Sequence, residues 1–223
     1  MFNLDHFIAD CRAALAEPSP ELVIKEHLER AMASPAEVQA AVGTPRQAQI
    51  TPLHHDRDLT ILNVVWTPGM AAYPHDHRMW ALIGLYGGRE DNTFYRRGTG
   101  GLEVAGGKQL VIGDTALLGR SVIHAVVNPL RVLTGALHVY GGDFFNTPRS
   151  DWDPETLQER PFDVARARKL FADANERWLA ECASAAPAGD AWPQAGSAYP
   201  ELFMNACRRS NGTRRKTGGW GSG

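Results

Sequence analysis

Cysteine is scarce in this chain of 223 residues. Cys11, Cys182 and Cys207 are far apart and odd in number, a pattern that offers neither a disulfide framework nor a Cys-type zinc site. An excess of charge of one sign is lacking too, with Lys+Arg 23 against Asp+Glu 25. Neither a nucleic acid nor a membrane surface is therefore expected as a partner. No apolar run approaches the roughly 20 residues that cross a bilayer. The opening MFNLDHFIAD has neither the basic start nor the apolar run of a secretory signal. The expected setting is soluble, reducing and cytoplasmic. The length suits one domain with a substantial core and some added helices.

What is present divides into three stretches. Residues 1–42 read as helical: Ser19-Pro20-Glu21 has an N-cap followed by Pro at the first helical position, and Leu22, Ile24, His27, Leu28 and Met32 fall on one face. Ser34-Pro35-Ala36-Glu37 has capping-box spacing. Residues 58–146 are short β-type runs: Thr60–Trp66, Trp80–Tyr86, Asn92–Arg96, Lys108–Ile112, Thr115–Leu118, Ile123–Val127 and Arg131–Tyr140. Turn signals such as Pro68-Gly69, Gly87-Gly88, Gly106-Gly107, Gly113-Asp114 and Asn128-Pro129 separate them. Many short strands at even spacing predict a mainly β sandwich or barrel, such as a jelly roll. Asp153-Pro154-Glu155 predicts the start of a helix over about 154–182. Its stripe of Val164, Ala167, Phe171, Ala174, Trp178 and Cys182 reads as core, not as a cofactor box. Residues 1–183 form the expected domain. Residues 184–223, rich in Ala, Gly, Pro and Ser and ending in basic clusters, read as a flexible tail.

The chemistry concentrates in Pro74-His75-Asp76-His77 and in His124 on a later β segment. Histidines at i and i+2 of a strand share a face, and Asp76 between them faces the other way. A third imidazole from another strand completes a facial set. Three protein ligands leave coordination positions open, as a catalytic metal needs. Imidazole suits iron, zinc, copper and nickel alike. His6, His27, His54 and His55 carry no such pattern and read as surface or core residues, with the His54-His55 pair also placed to line a pocket mouth.

Gly69-(five residues)-His75-Asp76-His77, followed by Gly87, resembles the first motif of the cupin superfamily. Gly113-(five residues)-Gly119-(four residues)-His124-(three residues)-Asn128 resembles the second. The resemblance spans about residues 58–146. It implies a cupin double-stranded β-helix (jelly roll) with helices added at both ends. The commonest cupin pattern places a glutamate ligand four or five residues after the second histidine, where this chain has Ala81 and Leu82. The three-histidine variant resembles the thiol dioxygenases, the group of cysteine and 3-mercaptopropionate dioxygenases. Ala136-Leu137-His138-Val139-Tyr140 is similar to that family's Ser-x-His-x-Tyr strand, with Ala136 in place of the Ser. No Cys occurs in Arg78-Met79-Trp80-Ala81-Leu82, so the cysteine–tyrosine crosslink of the animal enzymes has no partner here. Trp80 in that run resembles the bacterial 3-mercaptopropionate type. Thr51–Arg57 gives no secure match to the substrate arginine of the cysteine enzymes. Arg149, nine residues after Tyr140, resembles the carboxylate-binding arginine of the 3-mercaptopropionate enzymes.

The resemblance implies a non-haem Fe(II) dioxygenase that oxidises a small thiol carboxylate to its sulfinate with O2. His75, His77 and His124 would be the metal ligands, Tyr140 and His138 the catalytic pair, and Arg149 the substrate anchor. Arg78 and Arg89 are alternative anchors. Two rival readings are a three-histidine dioxygenase that cleaves a carbon–carbon bond of a diketone-like substrate, and a metal-binding cupin without catalysis.

Overall fold

A computed structural model describes residues 1–184. Three helices come first: α1 (Leu4–Ala14), α2 (Pro20–Met32) and α3 (Pro35–Val42). Eleven strands follow: β1 (Gln49–His55), β2 (Thr60–Trp66), β3 (Ala71–Asp76), β4 (Ala81–Gly87), β5 (Arg89–Gly98), β6 (Gly101–Val111), β7 (Thr115–Leu118), β8 (Ile123–Val127), β9 (Thr134–Tyr140), β10 (Ser150–Trp152) and β11 (Glu159–Pro161). Helix α4 (Val164–Ser184) closes the described chain.

The strands form two antiparallel sheets, ordered β1-β2-β9-β4-β7 and β11-β10-β3-β8-β5-β6. The pairings β2·β9, β3·β8, β4·β7 and β5·β6 are nested inside one another. A long hairpin with its tip between β5 and β6, rolled so that successive strands alternate between sheets, gives this order. It is the jelly roll, or double-stranded β-helix, expected from the sequence.

The turn from β2 to β3 carries the chain from one sheet to the other. Thr67-Pro68-Gly69-Met70 places Pro second and Gly third, with φ of Gly69 at 66° and Met70 N–H donating to Thr67 C=O. A type II turn demands that arrangement. Asn128 pins the turn from the far side: its Nδ2 donates to the carbonyls of Trp66, Thr67 and Val132.

Both faces of β2, β9 and β4 are buried, so their apolar runs serve two cores. Leu62, Val64, Trp66, Ala81, Ile83, Leu85, Ala136 and Tyr140 face the space between the sheets. Ile61, Leu82, Leu137 and Val139 face outward, under Phe7, Cys11, Ile24, Leu28, Met32 and Val38 of α1–α3.

Several local expectations need correction. The Ser19 and Ser34 side chains make no cap hydrogen bond, and the Glu37 carboxylate accepts from the Phe2 amide instead. Strands β1, β3, β10 and β11 are additions to the expected set, so the sheets reach beyond 58–146. Helix α4 begins at Val164, ten residues later than expected. The Asp153 side chain folds back on the amides of Glu155 and Thr156 in a turn, and Asp163 takes the capping role with the amide of Ala165. Val164 itself is exposed. Cys11 is a buried free thiol. Among the described residues no helix is long and apolar enough to cross a membrane. Apart from Ser184, the expected tail lies outside the described residues.

Helix α2 rests on β4 at Gly84, where an added Cβ would stand 2.9 Å from Leu28 and Met32 side-chain atoms. Overpacking of this kind costs about 1–3 kcal/mol. Gly84→Ala is therefore expected to lower the denaturation midpoint, and an unchanged midpoint would contradict this helix-on-sheet contact.

Candidate metal centre

The site lies between the sheets. His75 on β3 and His124 on β8 are cross-strand partners, and His77 follows one residue beyond β3. A register shift between Ala72 and His75 accommodates Pro74, which cannot donate to a ladder. Past the strand, Arg78 takes a positive φ of 59°. His75, His77 and His124 each present one ring nitrogen, and these atoms lie within 4.8 Å of one another. The ring centroids are 4.6–5.0 Å apart.

Three imidazoles this close would repel one another if charged. Burial lowers the pKa of His75 and drives those of His77 and His124 well below the usual histidine value, and the neighbouring rings push the latter two further down. The set is neutral and offers lone pairs, as metal binding requires. In two of the three rings the second nitrogen is held by protein. His75 Nδ1 donates to Tyr73 C=O at 3.0 Å. His124 Nδ1 meets Asn92 Oδ1 at 2.7 Å. His124 Nε2 is left buried without a hydrogen-bond partner. A buried, unpartnered nitrogen among neutral imidazoles fits a bound cation better than an apolar core. Among the described residues no carboxylate joins the set: Ala81 and Leu82 stand on β4 of the other sheet.

Asp76 does face away from the imidazoles. Its carboxylate accepts from Arg78 Nε at 2.6 Å and from the Ser150 amide at 2.8 Å. Arg78 is thereby committed, and Arg89 is committed to Asp91 through two hydrogen bonds. Neither lines the cavity. His54 and His55 bond Asp56 and Asp143 and also lie off it. Trp80 packs against Gly141 outside the cavity.

Ala136, His138 and Tyr140 share the inner face of β9, as strand alternation requires. His138 Nδ1 and Tyr140 Oη are 3.0 Å apart, and the Tyr140 ring centroid lies 5.1 Å from that of His77. Burial raises the Tyr140 pKa, so the phenol stays protonated. Burial lowers His138 to about 3, so its ring is neutral.

Arg149 also reaches the cavity. Its guanidinium is sandwiched between Phe144 at 4.1 Å and Phe162 at 3.9 Å. One end donates to Phe144 C=O, while Nε is buried with no partner. No carboxylate among the described residues forms an ion pair with it. Burial lowers its pKa, the direction expected of a cation short of counter-charge.

Sequence reasoning missed two polar residues. Glu90 and Asn92, alternate positions on β5, both turn inward and are buried. Glu90 Oε1 accepts from Asn92 Nδ2 at 3.0 Å, and Oε2 accepts from Trp66 Nε1 at 3.1 Å. The same Oε2 lies 3.9 Å from His138 Nε2. Burial pushes the Glu90 carboxyl up to about 7. The signal was available: a Glu and an Asn two apart on a strand face one side together.

The cavity holds about 70 Å³. Apart from the imidazoles, Tyr73, Tyr140 and Arg149, its walls are apolar, with Leu62, Val64, Trp66 and Val126 from the strands. Phe162, Ala167, Leu170 and Phe171 cover it, so Phe171 is cavity wall as well as core. This cover is tied down beside the three imidazoles. Asp151, the β10 partner of His75, is fully buried and binds Arg160 and, at 2.9 Å, Arg166 of α4.

No family model matches the chain. Solved structures of similar form include a double-stranded β-helix protein from Klebsiella pneumoniae, with 14% identity, 49% of this chain and 82% of that one covered and a TM-score of 0.37. An RmlC-like cupin from Methanocaldococcus jannaschii has 11% identity, covers 44% and 84%, and has a TM-score of 0.36. An oxalate oxidase in complex with glycolate has 16% identity over 45% of this chain and about half of its own, 53%, with a TM-score of 0.36. At such identities the chemistry of the site has to be read from its own side chains.

His124→Ala removes the ligand with the unpartnered nitrogen. Metal analysis after loading is expected to fall from one equivalent per chain to background, and retained stoichiometric metal would remove His124 from the ligand set.

Proposed function

We propose that this protein is a non-haem Fe(II) dioxygenase that converts a small thiol carboxylate, of the 3-mercaptopropionate or cysteine kind, to its sulfinate. The observation that carries the reading is the pairing of an all-imidazole, neutral ligand set with a half-buried arginine at the same cavity that forms no ion pair with a described carboxylate. A cation without an anionic partner in an apolar cavity is costly, and a substrate carboxylate would relieve it through a charge-assisted, two-pronged contact.

Iron(II) held by His75, His77 and His124 would bind thiolate and O2 together and pass electrons between them in the overall change RSH + O2 → RSO2H, in which the sulfur gives up the four electrons that O2 takes. The remaining work belongs to the chain. Arg149, stacked between two rings, is pre-oriented to fix the carboxylate end, which sets the sulfur end toward the imidazoles. Tyr140, kept protonated by burial, offers a hydrogen bond at the reacting end, and His138 orients that phenol. Phe144, Phe162, Leu170 and Phe171 exclude water. The cavity is smaller than the roughly 150 Å³ that accommodates a benzene ring, which favours a small substrate.

The apolar walls favour one second reading, oxidative carbon–carbon cleavage of a diketone-like substrate whose enolate replaces the thiolate. The arginine weighs against a cupin with no substrate at all. Oxygen uptake with a thiol panel set against a β-diketone panel separates the two enzymes.

Arg149→Ala is expected to raise KM for carboxylate-bearing thiols by a factor reflecting roughly 2–5 kcal/mol, with little change for thiols that lack the carboxylate. An unchanged KM would rule out this arginine as the anchor. Tyr140→Phe is expected to lower kcat while iron content stays at wild-type level, and unaltered turnover would remove the phenol from the reaction.

A further inference from the structure

One hydrogen-bonded polar chain leaves the cavity and ends on Glu90, and a second stops 3.9 Å short of it. One runs from the ligand His124 through Asn92. The other runs from Tyr140 through His138. We propose that Glu90 is a positioning residue that sets the direction of every hydrogen bond in both chains, so that His124 presents a lone pair at Nε2 and His138 accepts from Tyr140 at Nδ1.

Glu90 is fully buried and receives two groups that can only donate to it: Trp66 Nε1–H at 3.1 Å, and the amide nitrogen of Asn92 at 3.0 Å. Only a residue with two acceptor oxygens satisfies both. Because Asn92 must turn its NH2 to Glu90, it must turn Oδ1 to His124. His124 must then donate from Nδ1, across 2.7 Å. A neutral imidazole with its proton on Nδ1 has its lone pair on Nε2, the buried nitrogen without a partner. The second chain follows the same logic. His138 Nε2 has no hydrogen-bond partner and faces the Glu90 oxygen at 3.9 Å. A proton on Nε2 points to that oxygen, which leaves Nδ1 to accept from the Tyr140 hydroxyl at 3.0 Å. Ala136, the neighbour on the same face of β9, has no polar group for this purpose.

Glu90→Gln is the sharp test, since it keeps the shape and removes one acceptor. A carboxamide in place of the carboxylate cannot accept from both Trp66 and Asn92. The Asn92 amide is then free to reverse, offering NH2 to His124 and moving the ring proton to Nε2, where it blocks ligation. The double variant Glu90→Gln/Asn92→Asp moves the carboxylate two residues along the strand. The relocated carboxylate then accepts from both the introduced amide and His124 Nδ1, and the original direction returns.

Nitrogen-15 NMR of the histidine rings in the metal-free protein reads the tautomers, and Co(II) titration reads affinity. Wild type is expected to show Nδ1–H on His124 and Nε2–H on His138. Glu90→Gln is expected to shift His124 toward Nε2–H and to weaken Co(II) binding about 10–100-fold. The double variant is expected to restore both. An unshifted His124 with wild-type Co(II) affinity in Glu90→Gln, or no restoration in the double variant, would overturn the proposal. Should the variants not fold, the wild-type rings still decide, because any other pair of tautomers contradicts it. The inference rests on the reading of His124 as a metal ligand. The tautomers are read without metal, so a protein with these tautomers that takes up no Co(II) would contradict the metal reading alone.

Discussion

The cross-strand pair His75–His124 is the constraint on which the site depends. These residues are adjacent because β3 pairs with β8, and β3 pairs with β8 because the jelly roll nests that pair inside β2·β9. A one-residue slip between β3 and β8 would send one imidazole to the outer face. The inter-sheet core, the type II turn at Gly69 and the grip of Asn128 on that turn all hold the register. His77 then needs only to follow one residue beyond the strand.

Around that pair the protein separates charge from the cavity. The imidazoles are neutral because they are buried. Asp76 is turned away toward Arg78, and Asp151 beside His75 is spent on Arg160 and Arg166. The second of those links places α4 over the cavity, so the strand that flanks a ligand also fastens the cover. Arg149 is the exception, a cation inside the apolar enclosure with no carboxylate of the described residues to meet it. Glu90 is buried near the site as well, and the groups hydrogen-bonded to it are donors. A neutral set of imidazoles, an unmatched cation and a carboxylate reached through a side-chain amide are the features on which the proposed binding of a dication and a small anion rests.

Much of this was legible in the sequence, for physical reasons. Thr60–Trp66, Thr115–Leu118 and Ile123–Val127 were readable as strands to the residue, because their apolar and β-branched content and flanking turns are unambiguous. The spacing of His75, His77 and His124 made the triad visible. Strand β3 was harder, since Ala71-Ala72-Tyr73-Pro74 has no β-branched residue and carries a proline at its bulge. Strands β10 and β11 are three residues each and owe their pairing to the buried Asp151 with its two arginines, a long-range cause that local pattern does not carry. The start of α4 was misplaced because Asp153 makes a turn with the same cap chemistry that begins a helix. Glu90 and Asn92 were passed over because charged and amide residues on a strand are ordinarily its solvent face.

The most direct test of the account is X-ray absorption at the iron edge of the loaded protein, recorded before and after adding 3-mercaptopropionate. The account predicts imidazole nitrogen scattering from three histidines at the outset and a new sulfur shell once the thiol is present. An iron centre with histidine scattering that gains no sulfur neighbour would contradict it.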